Sequence, residues 1–119
     1  MIHHIPIFIY LYFYKHLRNI YKMKRPEECK GIDEIRDSID LLDTEIIRLL
    51  GERFKYVQEI VKYKNKDKDS IVAKERREQV IKTRRELAAK NGLNPDIIEQ
   101  IYKLLIDHFI DEELELMKE

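Results

Sequence analysis

From Ile32 to about Lys64 the chain runs for about 33 residues with no proline and a single glycine, and its apolar residues recur at helical spacing. The row is Ile35, Ile39, Leu42, Ile46, Leu49, Arg53, Val57, Ile60 and Lys64. At about 100° per residue, every member stays within roughly 40° of one line along a helix. One helix over this stretch would be roughly 50 Å long at 1.5 Å per residue. Gly51 costs it about 1 kcal/mol, which is tolerable. Two shorter helices of one small subunit cannot cover so long an apolar face. The remainder needs a partner, most simply a second copy of the chain. The fold expected is therefore all-α: three helices with a long first one, forming a homodimer.

Seven members of the row are Ile, Leu or Val, and two are cations. Long basic side chains often lie along apolar surface with their charge in water, and cations are favoured near a helix end, where Lys64 sits. Arg53 fits that description less well, because the row resumes after it with Val57 and Ile60. A buried charge is unfavourable unless something pairs with it. Two cations on one face, about three turns apart, ask for an anion inside the bundle, and a bound dianion would supply it.

The rest of the composition narrows the class. A chain of 119 residues makes one domain. Charged residues are 39% of it with no net charge, so no general affinity for nucleic acid or an anionic membrane is expected. Cys29 stands alone and cannot form an internal disulfide, in keeping with a reducing cytoplasm. The sequence has no Cys/His cluster for a metal and no Gly-rich phosphate loop, so no cofactor is expected.

Residues 1–22 differ from the rest of the chain. They hold four of the seven tyrosines, two of the four phenylalanines and no acid. The apolar run Ile5–Tyr14 is far short of the ~20 residues that span a bilayer. It also lacks the basic start and small-residue cleavage site of a signal peptide. We expect an upstream extension outside the fold, with Met23 opening the domain 23–119. A membrane-associating amphipathic anchor is the alternative.

Beyond the first helix, Asn65–Ser70 is polar and breaks the pattern, so a loop is expected there. A second helix should cover about Lys74–Lys90 and stop at Asn91-Gly92. A third should be capped by Asn94, with Pro95 in its first turn. Its inner stripe is Ile98, Tyr102, Leu105, Phe109 and Leu116. Arg36 lies 17 residues before Arg53, about 26 Å away along the helix. A single small ligand cannot touch both in one chain, although an intertwined partner could bring its own Arg36 to the pocket holding Arg53 and Lys64.

Several motifs resemble the all-helical type II chorismate mutases, over about residues 24–118. They are Ile35-Arg36-x-x-Ile39-Asp40-x-x-Asp43, Leu50-x-x-Arg53, the Tyr63-Lys64 end of the first helix, and Glu75-Arg76 opening the second. The stretch from Arg25-Pro26-Glu27-Glu28-Cys29 to Ile35-Arg36 looks more like the isochorismate pyruvate-lyase branch. The resemblance implies an interlocked dimer and a small dicarboxylate substrate. By the same resemblance, Arg36 (from the partner subunit), Arg53 and Arg76 bind substrate carboxylates. Lys64 is implied beside the ether oxygen, and Glu113 stands where many members carry a glutamine. Two positions depart from the pattern: Ala73 and Arg77 stand where typical mutases have an aspartate and a glutamate. The lyase branch also lacks these acids.

The function expected is chorismate rearranging to prephenate, with isochorismate pyruvate lyase, giving salicylate and pyruvate, as the alternative. A non-catalytic helical dimerisation or regulatory module is the rival outside enzymology. RNA binding through Lys74, Arg76, Arg77, Lys82, Arg84 and Arg85 is disfavoured, because Glu75, Glu78 and Glu86 interrupt the cluster and make it resemble a solvated face.

Overall fold

A computed structural model of the chain describes residues 6–8, 11, 20, 22–64 and 73–118. Among these, a 3-10 turn over Pro26–Glu28 is followed by three long helices, α1 (Ile32–Val61), α2 (Lys74–Lys90) and α3 (Pro95–Met117). No strand occurs among the described residues, so the all-α, three-helix expectation holds. The loop expected at 65–70 and most of the extension 1–22 lie outside them. The chain divides into two compact units, Met1–Glu52 and Arg53–Glu119.

In the first unit, the start of α1 is fixed by Glu34. Its carboxylate accepts from the backbone N–H of Lys30 at 2.8 Å and pairs with the Lys24 ammonium at 3.2 Å. These two donors, the backbone one first, hold the Glu34 carboxyl below its ordinary pKa. Ile35, Ile39, Leu42, Ile46 and Leu49 are 41–53% exposed within the chain, so the apolar row has no complete cover here.

α1 ends as an α-helix at Val61, three residues before the expected limit. Tyr63 and Lys64 donate to Ile60 and Val61, each only three residues back. That tighter i→i−3 pattern is common at helix ends.

The second unit contains the last turns of α1 together with α2 and α3, which pack on each other. Local chemistry accounts for the joint between α2 and α3. The Leu93 N–H bonds the Ala88 carbonyl at 2.8 Å and the Gly92 N–H bonds Ala89 at 3.3 Å. That pairing is a Schellman closure, with Gly92 at φ 73° in the left-handed conformation that glycine adopts without strain. α3 then opens with the Asn94 side chain accepting from the Asp96 N–H at 2.8 Å, and Pro95 follows the cap. Both ends fall where the sequence places them, because caps act within a few residues.

Val80 and Ala88 are the buried apolar residues of α2, at 5% and 3% exposure. They lie eight residues apart and so share one face. Ion pairs join the two helices beside that row. Arg85 meets Asp96 at 2.8 Å, and Arg77 meets Asp107 at 3.2 Å. Phe54 stacks on Phe109 with ring centroids 4.9 Å apart, tying the end of α1 to α3. Val80→Ala removes two buried methyl groups and should lower unfolding stability by about 1.5–2 kcal/mol. Exposed Glu86→Ala on the same helix should stay within about 0.5 kcal/mol. Denaturant unfolding of the two variants checks the difference.

Candidate active site

Three helices of the second unit surround a cavity of about 300 Å³, at the lower end of the range for small-ligand pockets. The end of α1 contributes Arg53 and the turn after it Lys64, α2 contributes Arg76, Arg77 and Arg84, and α3 contributes Glu113. Ile60, Val80, Ile106 and Phe109 supply apolar wall. Five cations therefore face one carboxylate among the lining residues.

Arg53 is half-buried, as its place in the apolar row suggests. Its guanidinium carbon lies 5.8 Å from the centre of the Tyr102 ring and 5.7 Å from that of Phe109. Aromatic faces attract a guanidinium and leave its N–H donors available. The Arg53 Nη1 atom is buried with no hydrogen-bond partner. Burial lowers the Arg53 pKa below its ordinary value. Tyr102 opposes that shift, while Arg84 and Arg76 add to it. The group nonetheless stays charged at any physiological pH. A charged donor out of water with nothing to donate to is unfavourable, and a ligand oxygen would relieve it.

Lys64 and Glu113, 49 residues apart in sequence, meet at 3.1 Å from Nζ to Oε2. Their side chains are only 20% and 7% exposed, and Glu113 is a buried charged residue. Arg76 donates from Nη1 to the Gln79 amide oxygen at 2.7 Å, a neutral acceptor. The cavity thus brings together Arg53, Lys64, Arg76 and Glu113, four of the residues singled out in the sequence. Arg36 is exposed and does not line it.

The departures Ala73 and Arg77 are lining residues too. Ala73 takes a left-handed conformation at φ 44° just before α2, and Arg77 is held by Asp107. Among the described residues no cluster of three or more His, Cys, Asp or Glu is placed to hold a metal ion.

Arg84 is the residue that sequence reasoning missed. Its charged neighbours in sequence suggest a solvated basic face, yet it lines the cavity and stands 5.7 Å from the Tyr102 ring centre. A signal was present. Val80, Arg84 and Ala88 recur at a spacing of four, so an arginine interrupts an apolar row of α2 much as Arg53 interrupts that of α1.

The sequence profile of chorismate mutase type II matches residues 35–114, a span holding every lining residue of the cavity. Isochorismate pyruvate lyase of Pseudomonas aeruginosa is 32% identical over 97 residues, covering 82% of this chain and 95% of the lyase. The T-protein of Haemophilus influenzae is 32% identical over 74 residues, or 62% of this chain but only 20% of that protein. A three-helix chain with a cation-rich cavity, matched over these spans, belongs to the chorismate mutase type II family.

Proposed function

We propose that the cavity converts chorismate to prephenate, the single observation carrying this reading being its charge: five cations against one carboxylate, with a buried Arg53 donor lacking an acceptor. Chorismate is a small dicarboxylate with an enolpyruvyl ether. Its rearrangement breaks a C–O bond as a C–C bond forms, with no covalent enzyme intermediate. Arg53 and Arg76 grip the carboxylates, since a planar guanidinium meets a carboxylate with two parallel bonds. Holding the side chain folded over the ring supplies several kcal/mol of the rate gain. Lys64 faces the ether oxygen and stabilises negative charge that grows only as the bond breaks. Glu113 donates a hydrogen bond as a neutral acid. When ionised, it pairs with Lys64 and cancels the charge the reaction needs.

A second reading is isochorismate pyruvate lyase, with hydrogen transfer yielding salicylate and pyruvate. Two observations favour it: the similarity to the Pseudomonas aeruginosa lyase over 95% of that protein, and Ala73 and Arg77 on the cavity wall. Neither side chain can accept a hydrogen bond from a ring hydroxyl as a carboxylate can.

The working unit is a homodimer on this reading. The apolar row Ile35 to Leu49, left 41–53% exposed by its own chain, is covered by a second copy, and that copy's Arg36 completes each pocket. The functional domain is residues 23–119, with 1–22 outside it, in a reducing cytoplasm. Among the described residues no helix is long and apolar enough to cross a membrane.

Purified protein given chorismate and isochorismate separately should form prephenate from the first, or salicylate and pyruvate from the second. Lys64→Ala should lower turnover by about 10²–10³, as removing an oxyanion donor does, while the protein stays folded. Wild-type protein inert on both substrates, or full turnover by folded Lys64→Ala, refutes the reading.

Arg36→Ala and Arg53→Ala chains should each be nearly inactive, yet regain activity when mixed and refolded. A heterodimer has one pocket with both arginines and one with neither. No recovery in a confirmed heterodimer rules out supply of Arg36 across the dimer.

Glu113→Gln should turn over faster than Glu113→Ala, because its amide still donates a hydrogen bond toward the ether oxygen. Equal turnover by the two folded variants shows that position 113 supplies no donor.

A further inference from the structure

The acid that lines this cavity and the acid that meets its Arg77 are already committed. Glu113 is paired with Lys64 at 3.1 Å and Asp107 with Arg77 at 3.2 Å. Arg84 has no carboxylate partner among the described residues. Its side-chain hydrogen bond, from Nη1 to the Thr83 hydroxyl at 2.9 Å, goes to a neutral acceptor. Its position is not that of a solvated cation. Val80 one turn before it and Ala88 one turn after it are the buried apolar residues of α2, and residues four apart share a helix face.

Arg84 and Arg53 converge on the same ring, at 5.7 and 5.8 Å from the Tyr102 centre. Bringing two cations together beside a cavity is unfavourable in the empty protein, and Arg84 is among the groups that depress the Arg53 pKa. Attraction to the aromatic face offsets part of the repulsion. An anion between the two guanidiniums would remove the rest and satisfy the buried Arg53 Nη1.

We propose that Arg84 is an anion-binding residue of this cavity, which takes a substrate carboxylate jointly with Arg53 beside Tyr102. This assignment rests on the dicarboxylate reading of the site and deepens it: one substrate carboxylate is held by α1 and α2 together. The ligand recognised is a small, planar-ended dicarboxylate. Arg84 contributes to affinity more than to the chemical step, because a carboxylate carries its charge in both ground and transition states.

The test compares wild type, Arg84→Gln, Arg84→Leu and Arg84→Lys in the full chain. Three quantities are measured: the unfolding midpoint without ligand, affinity for the unreactive probe benzene-1,3-dicarboxylate, and KM and kcat. The Gln and Leu variants should bind the probe about tenfold or more weakly, the usual effect of losing a charge-assisted hydrogen bond. KM should rise by a similar factor while kcat changes little. Their ligand-free unfolding midpoints should equal or exceed that of the wild type, since the repulsion with Arg53 is gone. Lysine should restore part of the affinity, because it returns the charge without the planar fork. Leu suits the apolar row and keeps the test open if Gln fails to fold.

Wild-type probe affinity and KM in folded Gln or Leu protein overturn the assignment. So does a lowered unfolding midpoint with unchanged affinity, which marks a purely structural arginine. Arg84-dependent probe binding in a protein inert toward chorismate and isochorismate would refute the proposed reactions and leave the anion site standing. A wild type that binds neither probe nor substrate overturns both.

Discussion

Arg53 carries a permanent charge into the packed part of the second unit, and the surroundings are arranged around that fact. The Tyr102 and Phe109 rings face its guanidinium, while no acceptor reaches its buried Nη1. Aromatic faces stabilise a cation without neutralising it, so the charge stays available to a ligand. A carboxylate in the same place would satisfy Arg53 in the empty protein and compete with any anionic substrate. The same logic extends to Arg76 and Arg84, whose hydrogen bonds go to the neutral acceptors Gln79 and Thr83.

Lys64 is handled differently. A buried carboxylate, Glu113, sits against it at 3.1 Å, and so the site holds one ready-made charge pair beside several cations without one. Removing one partner of a buried pair leaves an uncompensated charge, so Lys64 and Glu113 each depend on the other in the empty cavity. Arg53, Arg76 and Arg84 bring like charge to the cavity with no carboxylate paired to them among the described residues. On the dicarboxylate reading, binding energy for the substrate is stored in the unliganded protein as repulsion between Arg53 and its cationic neighbours and as the unused Arg53 donor.

The described core of a single chain is small. Val80 and Ala88 are its fully buried apolar residues, whereas the apolar row of α1 in the first unit remains largely open. An apolar face of that extent in water is unfavourable. Folding and completion of the site are therefore coupled on the homodimer reading, since the copy that covers this row also brings Arg36.

Helix limits and the site were legible to different depths. Asn91-Gly92 and Asn94-Pro95 marked the joint between α2 and α3, because caps are decided by a few neighbouring residues. Arg53 stood out because the strong periodicity of α1 defines its inner face without reference to anything else. α2 offers a weaker guide: its row of Val80, Arg84 and Ala88 is short and lies among many charged residues, so the identity of its inner face depends on how it packs against α3. That packing turned Arg84 from an apparent surface charge into cavity wall. It also joined Lys64 to Glu113, 49 residues apart. The sequence by itself determined the three helices, their caps and the two cations in the row of α1, all set by local bonding and spacing. Only the tertiary structure decided which charges of α2 and α3 meet them, because that depends on the rotation of one helix against another.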